Sequence, residues 1–143
     1  SVEDLIKIKE PEEILEQKTK EGEKIYNLFK EIDKEYQPLL KKALIKDEKN
    51  LLVFTYDGKR RSFTGELSNE LLHRAKAEVI LIGRKKDGVY KMSVRSRKIV
   101  LPPILNEALE GIDGHGGGHE QACGASVPVS DFKKFVERIR ERI

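Results

Sequence analysis

The stretch AEVILIGRKKDGVYKMSVRSR, from Ala77 to Arg97, decides the fold because a turn separates two β-rich runs. AEVILIGR is rich in branched aliphatic residues, and GVYKMSVR alternates polar with apolar side chains. Lys85 to Asp87 lie between the two runs, so the stretch predicts a β-hairpin. NLLVFTY and RRSFTG lie on either side of Asp57-Gly58 and predict another hairpin in the same way.

Apolar residues at helical spacing predict a long helix before these strands. It covers Glu23 to Lys46, with a kink or break near Tyr36 because Pro38 removes a backbone donor. A shorter helix, from Glu12 to Lys20, is expected to precede it and to stop at Gly22.

Three shorter helices are predicted among and after the strands, from GELSNELLHRA, PILNEALEGI and SDFKKFVERIRERI, with Ser130 as the cap of the last one. The predicted fold class is α/β. It has a mixed central sheet of about five strands flanked by helices and preceded by a long N-terminal connector helix. The expected domains are a helical connector over residues 1–48 and a second domain over residues 49–143.

Composition restricts the classes of protein to which this chain can belong. No apolar run approaches the roughly 20 residues that cross a bilayer, and the acidic start SVEDLIKIKEPEE is unlike a signal peptide. Cys123 is the only cysteine, so no internal disulfide can form. These features predict a cytoplasmic protein without a membrane partner. Residues 49–143 hold 18 basic and 12 acidic side chains, a balance that favours an anionic partner.

The segment DGHGGGHEQACGASVP, from Asp113 to Pro128, leaves two kinds of chemistry to weigh. His115, His119 and Cys123 are four residues apart, and on one helix they would share a face suited to zinc. The glycines between the histidines disfavour that helix, so no metal site is predicted. Cys123 stands among small residues, which favours packing over nucleophilic catalysis, and no catalytic residue is predicted.

A phosphate site is the other interpretation of this segment. Consecutive glycines let the backbone approach an anion, and a helix starting after Gly118 would direct its N–H groups at the same place. His119 would then donate a hydrogen bond from the first turn. A flexible loop whose glycines only permit a turn explains the same residues, and the segment alone leaves both interpretations open.

The run GVYKMSVRSR places basic and polar side chains on one face of a strand. Alternation puts Tyr90, Met92 and Val94 on the core face. The opposite face holds Lys91, Ser93, Arg95 and Arg97. A solvated outer face would look the same, but such a row of donors also suits bidentate contacts to phosphate.

Three motifs in order resemble the C-terminal substrate-binding domain of the DHH phosphoesterase superfamily, which includes RecJ-type exonucleases. They are GELSNEL (65–71), SVRS (93–96) and GGGHEQACGASVP (116–128), and the resemblance covers roughly residues 50–143. It implies that Arg95 and His119 contact substrate phosphates. The implied helpers are Ser93, Ser96 and the amides of Gly116, Gly117 and Gly118, with Lys91, His115 and Arg97 as accessory residues. Cys123 departs from the family pattern, in which alanine is usual.

The resemblance also implies what this chain lacks. The family hydrolyses its substrates with a separate N-terminal domain, whose Asp-His-His run helps to hold two manganese ions. No such run occurs here, so we expect no cofactor in this chain, a missing N-terminal DHH domain, and no manganese-dependent nuclease activity by the chain alone. The long helix then resembles the connector to that domain.

The function implied is binding of single-stranded DNA or RNA for an archaeal RecJ-like exonuclease in DNA repair and replication, with the GINS complex as a further partner. One alternative is a domain that grips a nucleotide or dinucleotide in a small-molecule phosphoesterase or oligoribonuclease. Another is a docking module for replication proteins. The phosphate interpretation requires Arg95 and His119 to converge on one concave surface, near the N-terminus of a helix after Gly118.

Overall fold

A computed structural model describes residues 11–58 and 60–143 of the chain. Residues 1–10 of the predicted connector, and Lys59 of the hairpin predicted around Asp57-Gly58, lie outside the described residues. The chain divides into two compact units, one ending at Pro38 and one from Leu39 to Ile143. The second unit contains a mixed five-stranded sheet with helices on both faces. Together with the long helix that precedes it, this architecture confirms the predicted fold class.

The long helix α1 (Glu12–Ile45) runs without interruption through Gly22 and Pro38. The predicted stop at Gly22 and the predicted break into two helices near Tyr36 are therefore wrong, and the alternative of a kink there stays a prediction. An exposed glycine costs a helix only about 1 kcal/mol, which its neighbours can offset. Proline removes one N–H, and because Pro38 is exposed, water can hydrogen-bond the carbonyl that loses its partner. None of the described helices is both long and apolar enough to cross a membrane.

Five strands form the sheet in the order β1-β2-β3-β5-β4. Their bounds are β1 (Leu51–Asp57), β2 (Val79–Lys86), β3 (Val89–Ser96), β4 (His115–His119) and β5 (Ala122–Pro128). β1 pairs with β2 in parallel, and every other neighbouring pair is antiparallel. The sheet therefore ends in two edge strands of different character, the apolar β1 and the glycine-rich β4.

One of the two predicted hairpins forms. β2 and β3 are joined through Asp87 and Gly88, whose φ values of 52° and 78° fit the tight turns that this connection requires. The hairpin predicted around Asp57-Gly58 is wrong, because RRSFTG forms no strand and leads into helix α2 (Thr64–Arg74). α2 supplies the crossover that the parallel pairing of β1 with β2 needs. The backbone N–H of Phe63 donates to the Tyr56 hydroxyl at 2.7 Å and ties the segment to β1.

The glycine-rich segment forms a second hairpin, β4 with β5, where a loop and a following helix were predicted. That prediction is wrong because the glycines allow a strand to pack closely. A Cβ on Gly116 would lie 3.1 Å from the Gly124 carbonyl oxygen and 3.2 Å from the Leu109 side chain. A larger residue at position 116 would require these neighbours to shift by a few tenths of an ångström.

Helices cover the sheet on both faces. α2 packs over β2 and β3 on one face, called the α2 face below. The other face carries the main core, under α3 (Leu101–Ala108) and α4 (Phe132–Glu141). Met92, Val94 and Cys123 of the central strands point into this core. A three-residue 3-10 turn leads into α4, which has no side-chain cap, so the predicted cap by Ser130 is wrong.

Candidate functional site

The strand register brings part of the predicted site together in rows on the α2 face. Directly paired residues of antiparallel strands lie on the same face of a sheet. Three such rows run from β3 across β5 to β4: Arg95–Ala122–His119, Ser93–Gly124–Gly117 and Lys91–Ser126–His115. Arg95 and His119 therefore share a face. With β5 between their strands, their backbones are separated by about 10 Å.

Arg95 is held by three acceptors. Its Nε donates to Asn69 Oδ1 of α2 at 2.9 Å. One terminal nitrogen, NH1, donates to the carbonyls of Val94 at 3.0 Å and Cys123 at 3.2 Å. Within residues 11–58 and 60–143 the other terminal nitrogen, NH2, has no hydrogen-bond partner, so it is the group available to an anion. The predicted bidentate contact with phosphate also needs Nε or NH1, so one of the hydrogen bonds that Arg95 now makes would have to be released.

Ser93 also contacts α2. Its hydroxyl donates to the Thr64 hydroxyl oxygen at 2.9 Å, at the first residue of the helix. The Ser93 hydrogen is thus directed at α2. Thr64 and Asn69 were not predicted as site residues, although GELSNEL, the motif that contains Asn69, was identified from the sequence. Their contacts depend on how α2 lies over β3, which the motif alone does not reveal.

The middle row forms an open floor between Arg95 and His119. Gly124 and Gly117 present no side chain there, and a Cβ built on Gly117 would meet no atom within 4 Å. We call this floor, together with the two rows that border it, the glycine trough. Successive N–H groups of a strand point in opposite directions, so the amides of Gly116, Gly117 and Gly118 cannot all converge on one anion. Gly117 and Gly124 contribute space to the trough.

Two of the predicted helpers lie elsewhere. Ser96 is buried, with 1 % of its surface exposed, and its hydroxyl donates to the Ile99 carbonyl. The guanidinium of Arg97 donates to carbonyls at the end of α2 and just before β2, those of Leu72, Ala75 and Ala77. Arg97 thus ties the end of α2 to the residues before β2, and Ser96 ties the end of β3 to the segment before α3. His119, His115 and Lys91 are exposed.

Cys123 belongs to the core. Its register partner in β4 is Gly118, and its thiol donates to the His119 carbonyl at 3.1 Å. Burial raises the pKa of the thiol, against a smaller opposing effect of the Arg95 charge. A raised pKa keeps the thiol protonated near neutral pH, which is the opposite of an activated nucleophile. Because the segment is a hairpin, the helical face on which zinc would have been bound does not exist.

The described residues offer no set of side chains that could bind two manganese ions. Nowhere in residues 11–58 and 60–143 do three histidine, cysteine, aspartate or glutamate side chains group closely enough to hold a metal ion. Arg95 and Lys91 of the glycine trough donate hydrogen bonds and carry positive charge. Their chemistry suits binding of an anion rather than coordination of a cation.

Comparison with known proteins places this architecture in a family. The family model of the DHHA1 domain matches residues 48–143. No curated protein sequence matches the chain.

Solved structures share the fold at low sequence identity. RecJ from Thermus thermophilus in complex with Mg2+ superposes with a TM-score of 0.62 at 21% identity, over 74% of this chain and 17% of that one. An exonuclease RecJ bound to manganese gives 0.58 at 19% identity, over 74% and 27% of the two chains. A pGpG-specific phosphodiesterase, PggH from Vibrio cholerae, gives 0.54 at 11% identity, over 80% and 40%. The chain thus spans about a quarter or less of the length of the RecJ structures.

The family match covers all three motifs quoted from the sequence, GELSNEL, SVRS and GGGHEQACGASVP. The match and the RecJ-like fold confirm the predicted resemblance to the C-terminal domain of DHH phosphoesterases. Over residues 48–143 the chain belongs to the DHHA1 domain family of the DHH superfamily.

Proposed function

We propose that the glycine trough binds the phosphate backbone of single-stranded nucleic acid on behalf of a RecJ-like nuclease. The observation that supports this most directly is the row Arg95–Ala122–His119 beside a floor without side chains. Arg95 offers its NH2 group, and the exposed His119 ring is able to donate to a phosphate oxygen. The open floor lets a phosphate approach the β5 and β4 backbones.

The third row extends the proposed contact along the strands. Lys91 precedes Arg95 by four residues in β3, a distance of about 14 Å. Lys91 and His115 are both exposed at that end of the glycine trough. Positive charge on Arg95 and on Lys91, on either side of the floor without side chains, favours a polyanion over a single small ligand. Residues 49–143 as a whole have an excess of basic side chains, 18 against 12 acidic ones.

A salt titration of binding tests the proposal. The 143-residue chain and its Arg95→Ala variant are titrated with a labelled oligothymidylate, and anisotropy gives Kd at several salt concentrations. Loss of one phosphate contact should weaken binding about tenfold. It should also lower the slope of log K against log salt by about 0.7. Arg140→Ala is the matched control, since it removes one exposed arginine from α4 on the opposite face.

Two results would count against the proposal. One is no binding, or salt-independent binding, by the unaltered chain. The other is an equal loss of affinity in Arg140→Ala and Arg95→Ala, since that would indicate nonspecific attraction by net charge.

The second candidate function is binding of a nucleotide or dinucleotide. It is favoured by the fold shared with the pGpG-specific phosphodiesterase, a small-molecule enzyme by its name. Competition separates the two functions. If the polymer is the ligand, unlabelled dinucleotides should displace the oligothymidylate only at far higher concentration than a longer unlabelled oligonucleotide does. Equal potency of the two competitors would favour the second candidate function.

For the whole protein we extend the proposal to the parts that the DHH family implies. A DHH domain elsewhere in the polypeptide would bind two manganese ions and hydrolyse the strand that the trough holds. The protein would act in the cytoplasm, in DNA repair and replication, with the GINS complex as a partner. A third candidate function is docking of replication proteins through the helices. Co-purification with GINS subunits after nuclease treatment, retained in Arg95→Ala, would favour that docking role.

A further inference from the structure

We propose that Asn69 is a positioning residue, which holds Arg95 so that its NH2 group faces the glycine trough. This inference rests on the proposed function. It gives the motif GELSNEL, to which the resemblance assigns no phosphate contact, a physical role. That role is to place an amide oxygen from the second turn of α2 beside the guanidinium of β3.

The hydrogen bonds of Arg95 fix the plane of its guanidinium. An arginine has five N–H donors in a rigid fork. Asn69 takes Nε, and two main-chain carbonyls take both hydrogens of NH1. Acceptors on two edges of a planar group define its orientation, so the remaining edge points in one direction only. Without Asn69, the Arg95 guanidinium could rotate more freely about its NH1 hydrogen bonds. Phosphate binding would then have to order the Arg95 side chain, which costs binding free energy.

The residue type matters as much as its position. An asparagine oxygen accepts the Nε hydrogen without adding charge, so Arg95 keeps its full attraction for a phosphate. An aspartate at position 69 would hold the guanidinium equally well but would neutralise it. A neutral partner therefore leaves Arg95 the full positive charge that contact with an anion requires.

Variants of Asn69 separate orientation from charge. The 143-residue chain binds labelled oligothymidylate in the anisotropy assay described above. Asn69→Ala should weaken binding about fivefold, because the guanidinium must be ordered on binding. The slope of log K against log salt should stay unchanged, since every charge remains. Asn69→Asp should weaken binding at least tenfold and lower the slope by about 0.7, as Arg95→Ala does.

A double-mutant cycle tests whether Asn69 acts through Arg95. In the Arg95→Ala background, Asn69→Ala should have no further effect on Kd. Asn106→Ala is the matched control, an exposed asparagine in α3 on the opposite face, and it should leave Kd unchanged. The midpoint of urea unfolding should be the same for Asn69→Ala and Asn106→Ala, which excludes a loss of folded protein as the cause.

The outcomes distinguish this inference from the function on which it rests. If the unaltered chain binds no oligonucleotide, the proposed function fails and the positioning role fails with it. If Arg95→Ala weakens binding while Asn69→Ala leaves it equal or tighter, only the positioning role is overturned. Tighter binding would mean that Asn69 competes with phosphate for Nε. An additive effect of Asn69→Ala in the Arg95→Ala background would also overturn it.

Discussion

Single glycine-to-alanine substitutions separate the structural role of β4 from its role in the trough. Gly118 has a φ of +145°, which L side chains rarely adopt. A Cβ built on it lies 2.5 Å from the Ala122 carbonyl oxygen and 2.9 Å from the Cys123 Cα. Those are backbone atoms of the paired strand, so relief of the clash requires a shift of the hairpin. Gly117, by contrast, has no atom within 4 Å of its Cβ.

The expected losses of stability follow from these contacts. Gly118→Ala combines an unfavourable φ with a backbone clash, so the free energy of unfolding should fall by about 2–4 kcal/mol. Gly111 has a φ of +74° but nothing near its Cβ, and Gly111→Ala should cost about 1 kcal/mol through the dihedral angle alone. Gly117→Ala has neither problem and should change stability by less than about 0.5 kcal/mol.

Urea unfolding followed by circular dichroism measures the series. With an m-value of about 1.5 kcal/mol/M, a loss of 3 kcal/mol lowers the midpoint by about 2 M, well beyond the error of the measurement. The expected order of midpoints is Gly117→Ala, then Gly111→Ala, then Gly118→Ala as the lowest. Equal midpoints for the alanine variants at 117 and 118 would refute the reasoning. Gly117→Ala should still bind oligothymidylate more weakly, because its methyl group occupies the floor.

Three further predictions concern Arg97, Cys123 and the activity of the chain as a whole. Arg97→Ala should lower the free energy of unfolding in urea by about 1–3 kcal/mol, because carbonyls at the end of α2 lose their donor. Arg74→Ala, which breaks an exposed ion pair with Glu70, should lower the free energy of unfolding by less than about 0.5 kcal/mol. Equal losses in Arg97→Ala and Arg74→Ala would contradict the structural role given to Arg97. Cys123 should react slowly with a thiol reagent near neutral pH until the chain unfolds, because burial raises its pKa. Because the thiol pKa is raised in the folded chain, Cys123 contributes stability at pH values below its ordinary pKa of 9.0, and this contribution is lost as the pH rises above that value. Cys123→Ala should therefore reduce the decline of the free energy of unfolding at alkaline pH. Fast labelling of the folded chain would argue against burial of the thiol. Finally, the 143-residue chain with added manganese should not hydrolyse oligonucleotides, and turnover abolished by EDTA would disprove that expectation.

The sequence allowed prediction of the elements whose signals are local. The β2–β3 hairpin has alternation in β3 and turn residues at Asp87 and Gly88, so its register needs no distant contact. The parallel pairing of β1 with β2 could not be predicted in this way. The run RRSFTG has strand-forming residues, yet Phe63 is buried and its N–H bonds the Tyr56 hydroxyl, which turns the chain into α2. That outcome depends on tertiary packing, which overrides local propensity.

The candidate site was predictable only where its signals are local. Alternation along β3 correctly separates Arg95 from Val94, because it depends only on period two. Whether Arg95 shares a face with His119 depends on the register of β5 between β3 and β4, which no local pattern specifies. Asn69 illustrates the limit most clearly, since the motif around it was visible while its contact with Arg95 spans 26 residues.

The glycines of β4 show why a strand forms where loop signals are strong. Glycine is unfavourable in strands by local propensity, so the segment favours a loop when considered alone. In the fold, a Cβ on Gly116 would be tight against Leu109 of the core face, and one on Gly118 would strike β5. Close packing on that side requires these two glycines, whereas Gly117 faces the open trough and meets nothing. Three consecutive identical residues thus have two different physical roles. Stability should depend on Gly116 and Gly118, and ligand approach should depend on Gly117.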